Sequence, residues 1–179
     1  MKALVLDGEW DPQEGYDLSP AERETHRSMN AAKTWRHPEL RVEERERPEP
    51  ADDEILVRTR YVGVCGSDIS MAAAGDDGYM HYSAYASLPN VVGHEFAGEV
   101  VETGDDARIF SPGDLVTAEV TDYCCRCQMC RQGFHGHCEN FEQLGFTIPG
   151  AAAEYVAVPE KIAWSVDPTA SLTRSILSS

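Results

Sequence analysis

Lysine, long apolar runs and closely paired glycines are all scarce in this sequence of 179 residues. Only Lys2, Lys33 and Lys161 are lysines, and with the arginines they make 15 basic residues against 31 acidic ones, a formal charge of −16. A chain this acidic repels phosphate backbones and cannot assemble a basic face, which argues against nucleic acid as a partner. No apolar run approaches the roughly 20 residues that a membrane-crossing helix needs. Residues 1–6 lack both the basic start and the long apolar stretch of a signal peptide, so no membrane partner and a cytoplasmic location are expected. No two glycines are separated by a single residue. The glycine-rich turn that opens a dinucleotide-binding βαβ unit is therefore missing, and no cofactor-binding residue is expected in this chain.

What is abundant is cysteine, in one place. All six cysteines lie between positions 65 and 138, and five of them crowd into 124–138. Without signs of secretion, metal explains this better than disulfides do. Cys124, Cys127, Cys130 and Cys138 follow the order C-x2-C-x2-C-x7-C, the pattern of a closed, structural zinc site with four thiolates. Cys125 adjoins Cys124, but adjacent side chains diverge, and the even spacing favours Cys124. His135 and His137 read as surface residues of the same lobe.

Around this lobe the sequence reads as mainly β with short helices, a β-barrel-like domain. Strands are expected at 2–6, 40–46, 54–62, 96–103, 115–120 and 153–158, with turns at Pro48-Glu49-Pro50 and Pro112-Gly113-Asp114. Ser19-Pro20-Ala21-Glu22 can form a capping box with proline in the first helical position, and a helix of roughly 12–14 residues is expected to run from there to about Lys33. The domain organisation expected is one domain over 1–165, with a helical insertion at about 16–34 and a zinc lobe at about 122–140. The polar, Ser/Thr-rich stretch 166–179 reads as a truncated or disordered tail.

A second grouping is Cys65-Gly66-Ser67-Asp68 with Gly93-His94-Glu95. A thiolate, an imidazole and a carboxylate can together hold zinc with a position left open, the arrangement a Lewis acid needs. Each fragment alone is weak, since a lone cysteine is usually a small buried hydrophobe. Their joint presence upstream of a four-cysteine lobe is what carries the signal.

With these residues in hand, the chain resembles the N-terminal, GroES-like catalytic domain of zinc-dependent medium-chain alcohol dehydrogenases over about residues 1–165. The matching stretches are 63–68, 93–100, 112–116, the cysteine lobe, and 145–158 with its Gly-x-x-x-Glu-Tyr ending. The opening MKALVLDGEW and the long segment before Trp35-Arg36-His37-Pro38 are similar to a polyol and inosose dehydrogenase-like branch. The resemblance implies a GroES-like β-barrel, with the Rossmann domain of such enzymes absent from this chain. It implies Cys65 and His94 as catalytic zinc ligands, with Glu95 as the adjacent carboxylate. Ser67 would bond the substrate oxygen and begin proton removal, and Asp68 would orient the His94 ring. Ser70 stands where many relatives carry a relay histidine and could relay only through water. It further implies two zinc ions per chain, a small-molecule alcohol or polyol substrate, and the homo-oligomeric state common in the family. NAD or NADP would be used only with the missing domain, and the chain alone is expected to be incomplete and inactive.

The alternative is a non-catalytic, GroES-like zinc-binding module, or the partner of a separate chain. Cys65 with His94-Glu95 separates the two readings, because a scaffold has no need of an open metal position. The stretch 71–85, with Met71, Gly75, Gly78, Met80 and three tyrosines, reads as an exposed loop with anchoring aromatics, although the resemblance sets it beside the substrate cleft. His81 reads as neither ligand nor base, and Trp35 and Trp164 as core or edge packing.

Overall fold

A computed structural model describes residues 1–167. The first strand, β1 (Lys2–Trp10), is followed by the short helix α1 (Pro20–Thr25) and by β2 (Trp35–Glu44) and β3 (Glu54–Val62). Helix α2 (Gly66–Ala72) leads to β4 (Asn90–Val91), β5 (Phe96–Thr103), β6 (Leu115–Ala118) and β7 (Thr121–Asp122). The one-turn α3 (Gln128–Arg131) precedes β8 (Glu142–Gln143), β9 (Tyr155–Pro159) and β10 (Ala163–Ser165). Among the described residues no helix is long and apolar enough to cross a membrane.

The strands form a five-stranded sheet in the order β10-β6-β5-β3-β9, a three-stranded sheet β2-β1-β4, and the small pair β7-β8. Every named strand pair is antiparallel. The architecture is thus mainly β with short helices, as the alternation of β-formers and Gly/Pro turns predicts. Strand β3 runs Ile55-Leu56-Val57, all fully buried, with Ile55 and Val57 in the barrel core. Phe96, Val100, Val116 and Val158 complete the centre of that core. Each such side chain contributes about 1.5–3 kcal/mol when fully buried. A second core, including Leu6, Trp35, Met71, Met80 and Phe146, fills the space between the three-stranded sheet and α2.

The structure corrects three expectations. The capping box forms as read: Glu22 N–H donates to Ser19 Oγ (3.2 Å) and Ser19 N–H to Glu22 Oε2 (2.9 Å). The helix nevertheless stops at Thr25, with His26 left-handed at φ 53°. Glu22 Oε1 also accepts the Met29 N–H (2.9 Å), and Ser28 exchanges backbone hydrogen bonds with Ala86 (2.9 and 3.1 Å). These bonds turn the chain inward and outcompete the helical ladder. A 3-10 turn, Ala31–Lys33, is all the helix that follows before β2. Met71 and Met80 are core residues, so the stretch between them is anchored at both ends and is not a free loop. Val166, placed in the tail by the sequence, is buried and donates its N–H to Leu115 O (2.8 Å). The rest of that tail, 168–179, lies outside the described residues. Trp164 is exposed on the edge strand β10.

Candidate metal centres

Two groups of side chains come together in the way a metal ion requires. The first is built where β3 runs out. Gly63 N–H donates to Glu95 O (2.7 Å), tying the two segments that carry the ligands. Cys65 then stands at the N-cap of α2 with extended backbone, and its N–H donates to Asp68 Oδ2 (2.9 Å). On the opposite side Gly93 holds φ at +90°, and a Cβ there would meet Ala152 N at 2.9 Å. A side chain at Gly150 would in turn lie 2.3 Å from Gly93 O. Glycine at both positions lets the backbones close tightly, which sets His94 facing Cys65.

The candidate ligand atoms of Cys65, His94 and Glu95 lie within 4.8 Å of one another, and His94 Nε2 is 3.9 Å from Glu95 Oε1. The other ring nitrogen, Nδ1, is 3.6 Å from Asp68 Oδ1, beyond hydrogen-bond length. Burial disfavours the His94 cation, but Asp68 and then Cys65 outweigh it and hold the ring above its ordinary value. Burial likewise penalises Asp68 as an anion, yet His94 and the Cys65 N–H hold it below the usual carboxylate range. The Ser67 hydroxyl, close to Cys65 but making no hydrogen bond of good geometry, lowers the Cys65 thiol most, followed by the Ser67 amide and His94. Ser67 Oγ, Asp68 Oδ1 and His94 Nδ1 are all buried without a hydrogen-bond partner. Three unsatisfied polar atoms so close together are what a site that takes a ligand would leave, rather than ordinary packing. The thiolate, imidazole and carboxylate fit zinc by ligand chemistry. Ser70 is not drawn into this group, because its hydroxyl donates to Gly66 O (2.9 Å).

The second group is the cysteine lobe. The sulfurs of Cys124, Cys127, Cys130 and Cys138 also lie within 4.8 Å of one another, and the last three residues are buried. Backbone N–H groups of Cys124, Cys127, Cys130 and Asn140 point at Sγ atoms at 3.3–3.4 Å. The amides of Arg126 and Cys127 pull the Cys124 thiol down to about 6, whereas burial and the neighbouring sulfurs push Cys130 up to about 12. Four sulfurs so close cannot all ionise unaided, and a divalent cation relieves that repulsion. Cys125 is exposed with φ 58° and takes no part. His135 and His137 are also exposed, and His135 stacks on Tyr123 at 4.0 Å.

Residues 51–168 match the family model of the alcohol dehydrogenase GroES-like domain. The chain belongs to this family. Within the alcohol dehydrogenase GroES-like family it is 41% identical to scyllo-inosose 3-dehydrogenase of Thermotoga maritima, over 93% of this chain and 44% of that protein. A solved Thermotoga maritima structure, assigned as an alcohol dehydrogenase, superposes with a TM-score of 0.88 at 40% identity, covering 92% of this chain and 43% of that one. A Sinorhizobium meliloti protein, assigned as a zinc-binding dehydrogenase and bound to NADP, gives a TM-score of 0.63 at 30% identity, covering 82% and 39%. The chain therefore spans less than half the length of these relatives. The similarity to an inosose dehydrogenase agrees with the branch read from residues 1–38.

Sequence reasoning missed Phe146, and it met Tyr82 only as one of three tyrosines in a stretch that the resemblance sets beside the substrate cleft. Phe146 tilts against the His94 ring at 4.8 Å between centroids, and Tyr82 stacks on Phe146 at 5.2 Å. The one available signal was that Phe146 falls inside the matching stretch 145–158. Also unforeseen is an apolar cleft of about 500 Å³ behind Asp68, with Val62, Val64 and Ile69 exposed on its wall.

Proposed function

We propose that this chain is the metal-binding catalytic half of a zinc-dependent dehydrogenase that oxidises a hydroxyl of a polyol or related sugar-like substrate. In this reading the nicotinamide cofactor is bound by sequence outside the chain, and the chain alone does not turn over. The observation that carries it is the convergence of Cys65, His94 and Glu95 on one point, beside three buried polar atoms without partners. The likeness to scyllo-inosose 3-dehydrogenase favours a polyol over a simple alcohol. Zinc held at this point would polarise a substrate hydroxyl, while a nicotinamide would take the hydride.

The chain's own residues hold the ion and handle the proton. Asp68, anchored by the Cys65 N–H, faces Nδ1 of His94 and leaves Nε2 for the metal. The Ser67 hydroxyl, buried and without a good hydrogen-bond partner, would accept the hydrogen bond of the substrate hydroxyl and pass its own proton on as the substrate proton arrives. Ser70 donates its hydrogen to Gly66 O, so it would have to give up that bond before it could pass the proton on toward solvent. The four lobe cysteines hold a second, structural zinc, which makes two per chain.

A comparison of the chain alone with the chain joined to a nucleotide-binding half tests this reading. Alone, it should give no saturable fluorescence change with NADH or NADPH. Joined, it should oxidise a cyclic polyol, and His94→Ala should abolish that activity. Micromolar cofactor binding by the chain alone, or oxidation that survives His94→Ala, would contradict the proposal.

A further inference from the structure

Three tyrosines lie on the connection between α2 and β4, and their surroundings differ. Tyr79 lies under the Arg36 guanidinium, 5.0 Å from ring centroid to Cζ, and Tyr85 rests against Phe141 at 5.9 Å. Tyr82 alone is linked to the metal centre, through Phe146. Its half-buried ring stacks on Phe146 with an interplanar angle of 22°, and Phe146 meets the His94 ring at 4.8 Å. The ring is further seated by the core that contains Leu6, Met71 and Val92. The Tyr82 hydroxyl makes no hydrogen bond among the described residues. A phenylalanine would supply the same stacking wall, so the oxygen has no packing role. A half-buried phenol that stacks on the ring against His94, with its hydroxyl uncommitted, can donate to a substrate held at that centre.

We propose that Tyr82 determines specificity by donating a hydrogen bond to a second hydroxyl of the substrate, adjacent to the one held at the metal, so that the site prefers vicinal polyols to monohydric alcohols. This rests on the reading of Cys65, His94 and Glu95 as an open metal position. The stacked Phe146 fixes the phenol relative to His94, so the spacing of the two substrate hydroxyls, not merely their number, is selected.

Cobalt(II) in place of zinc provides a readout that needs neither cofactor nor turnover, because ligands entering the open position alter its visible d–d bands. The full chain loaded with cobalt is titrated with the cyclic polyol myo-inositol and, separately, with 1-propanol, and Tyr82→Phe is treated in the same way. The unaltered chain should bind myo-inositol more tightly than 1-propanol. Loss of one neutral hydrogen bond should weaken myo-inositol about three- to tenfold in Tyr82→Phe and leave 1-propanol unchanged. A variant that binds myo-inositol as tightly as the unaltered chain, or that weakens both alcohols equally, would overturn the role of the hydroxyl. If neither alcohol perturbs the bands of the unaltered chain, the open metal position fails, and the assignment of Tyr82 fails with it.

Discussion

The barrel and the cysteine lobe hold themselves together by different means. The barrel closes on large apolar side chains that are fully buried, Phe96, Ile55 and Val100 among them. Between β7 and β8 the lobe has only a four-residue helix and a three-residue 3-10 turn, and its buried centre is Cys127, Cys130 and Cys138. Tyr123, Met129 and Phe141 pack against these sulfurs only partly buried, and Phe134 is exposed. In the lobe, then, the cysteines are the core. At the barrel rim, Cys65 and His94 sit on top of a core that is complete without them. Removing a ligand should therefore unfold the lobe, whereas at the rim it should leave the structure intact.

The largest effect is expected in the lobe. Cys127→Ser breaks a site whose metal binding is also its folding free energy, about 10–16 kcal/mol in zinc-finger peptides. Thiol titration should find Cys124, Cys130 and Cys138 reactive, and metal analysis should find one zinc lost. A lobe that stays closed to thiol reagents in this variant would mean that apolar packing holds it after all. Phe96→Ala makes the opposite cut. It should lower the stability of the barrel in urea by about 3–5 kcal/mol while the zinc content stays unchanged below the transition.

How much of this was legible in the sequence follows from the range of the forces involved. The cysteine spacing and the Ser19–Glu22 capping box are local patterns, and the structure contains both the sulfur cluster and the reciprocal cap. The length of α1 was not legible, because Glu22 accepts the Met29 N–H and Ser28 pairs with Ala86, a residue far along the chain. Strand β6 ends at Ala118, two residues before the expected end, where Glu119 N–H turns to Ile162 O (2.9 Å). Ligand chemistry could suggest Cys65 with His94 in advance, but nothing local relates them, and the family resemblance was needed to make the pairing specific. Phe146 was invisible as a site residue, and Tyr82 could not be told from Tyr79 and Tyr85, because the Tyr82–Phe146 stacking exists only once the two segments meet.

A smaller effect is expected at Glu160, which ties the loop before β6 to the turn after β9. Its buried carboxylate accepts the N–H groups of Arg108 (2.8 Å), Ile109 (2.7 Å) and Phe110 (2.9 Å). Burial opposes ionisation, but these three donors outweigh it and hold the carboxyl below its usual range. A carboxyl whose value is lower folded than unfolded adds stability that is fully present above the unfolded value. That stability fades as pH falls from about 4.5 through the lower folded value. Glu160→Gln should therefore cost about 1–3 kcal/mol at pH 7. Chemical denaturation of both proteins across this range should find the difference shrinking as pH drops below 4.5. A penalty that does not change with pH would show that the charge of Glu160 plays no part.

The smallest effect on stability is expected from Cys65→Ser, and this variant tests most directly whether the rim centre is separate from the fold. Thermal melting and metal counting are done on the same preparation, beside the unaltered chain. The expected result is a loss of one zinc from two, with stability changed by no more than about 1 kcal/mol, since the barrel core and the lobe remain packed. A variant that retains both metals, or that melts as early as Cys127→Ser, would contradict the assignment of Cys65, His94 and Glu95 as an open metal centre on a finished barrel.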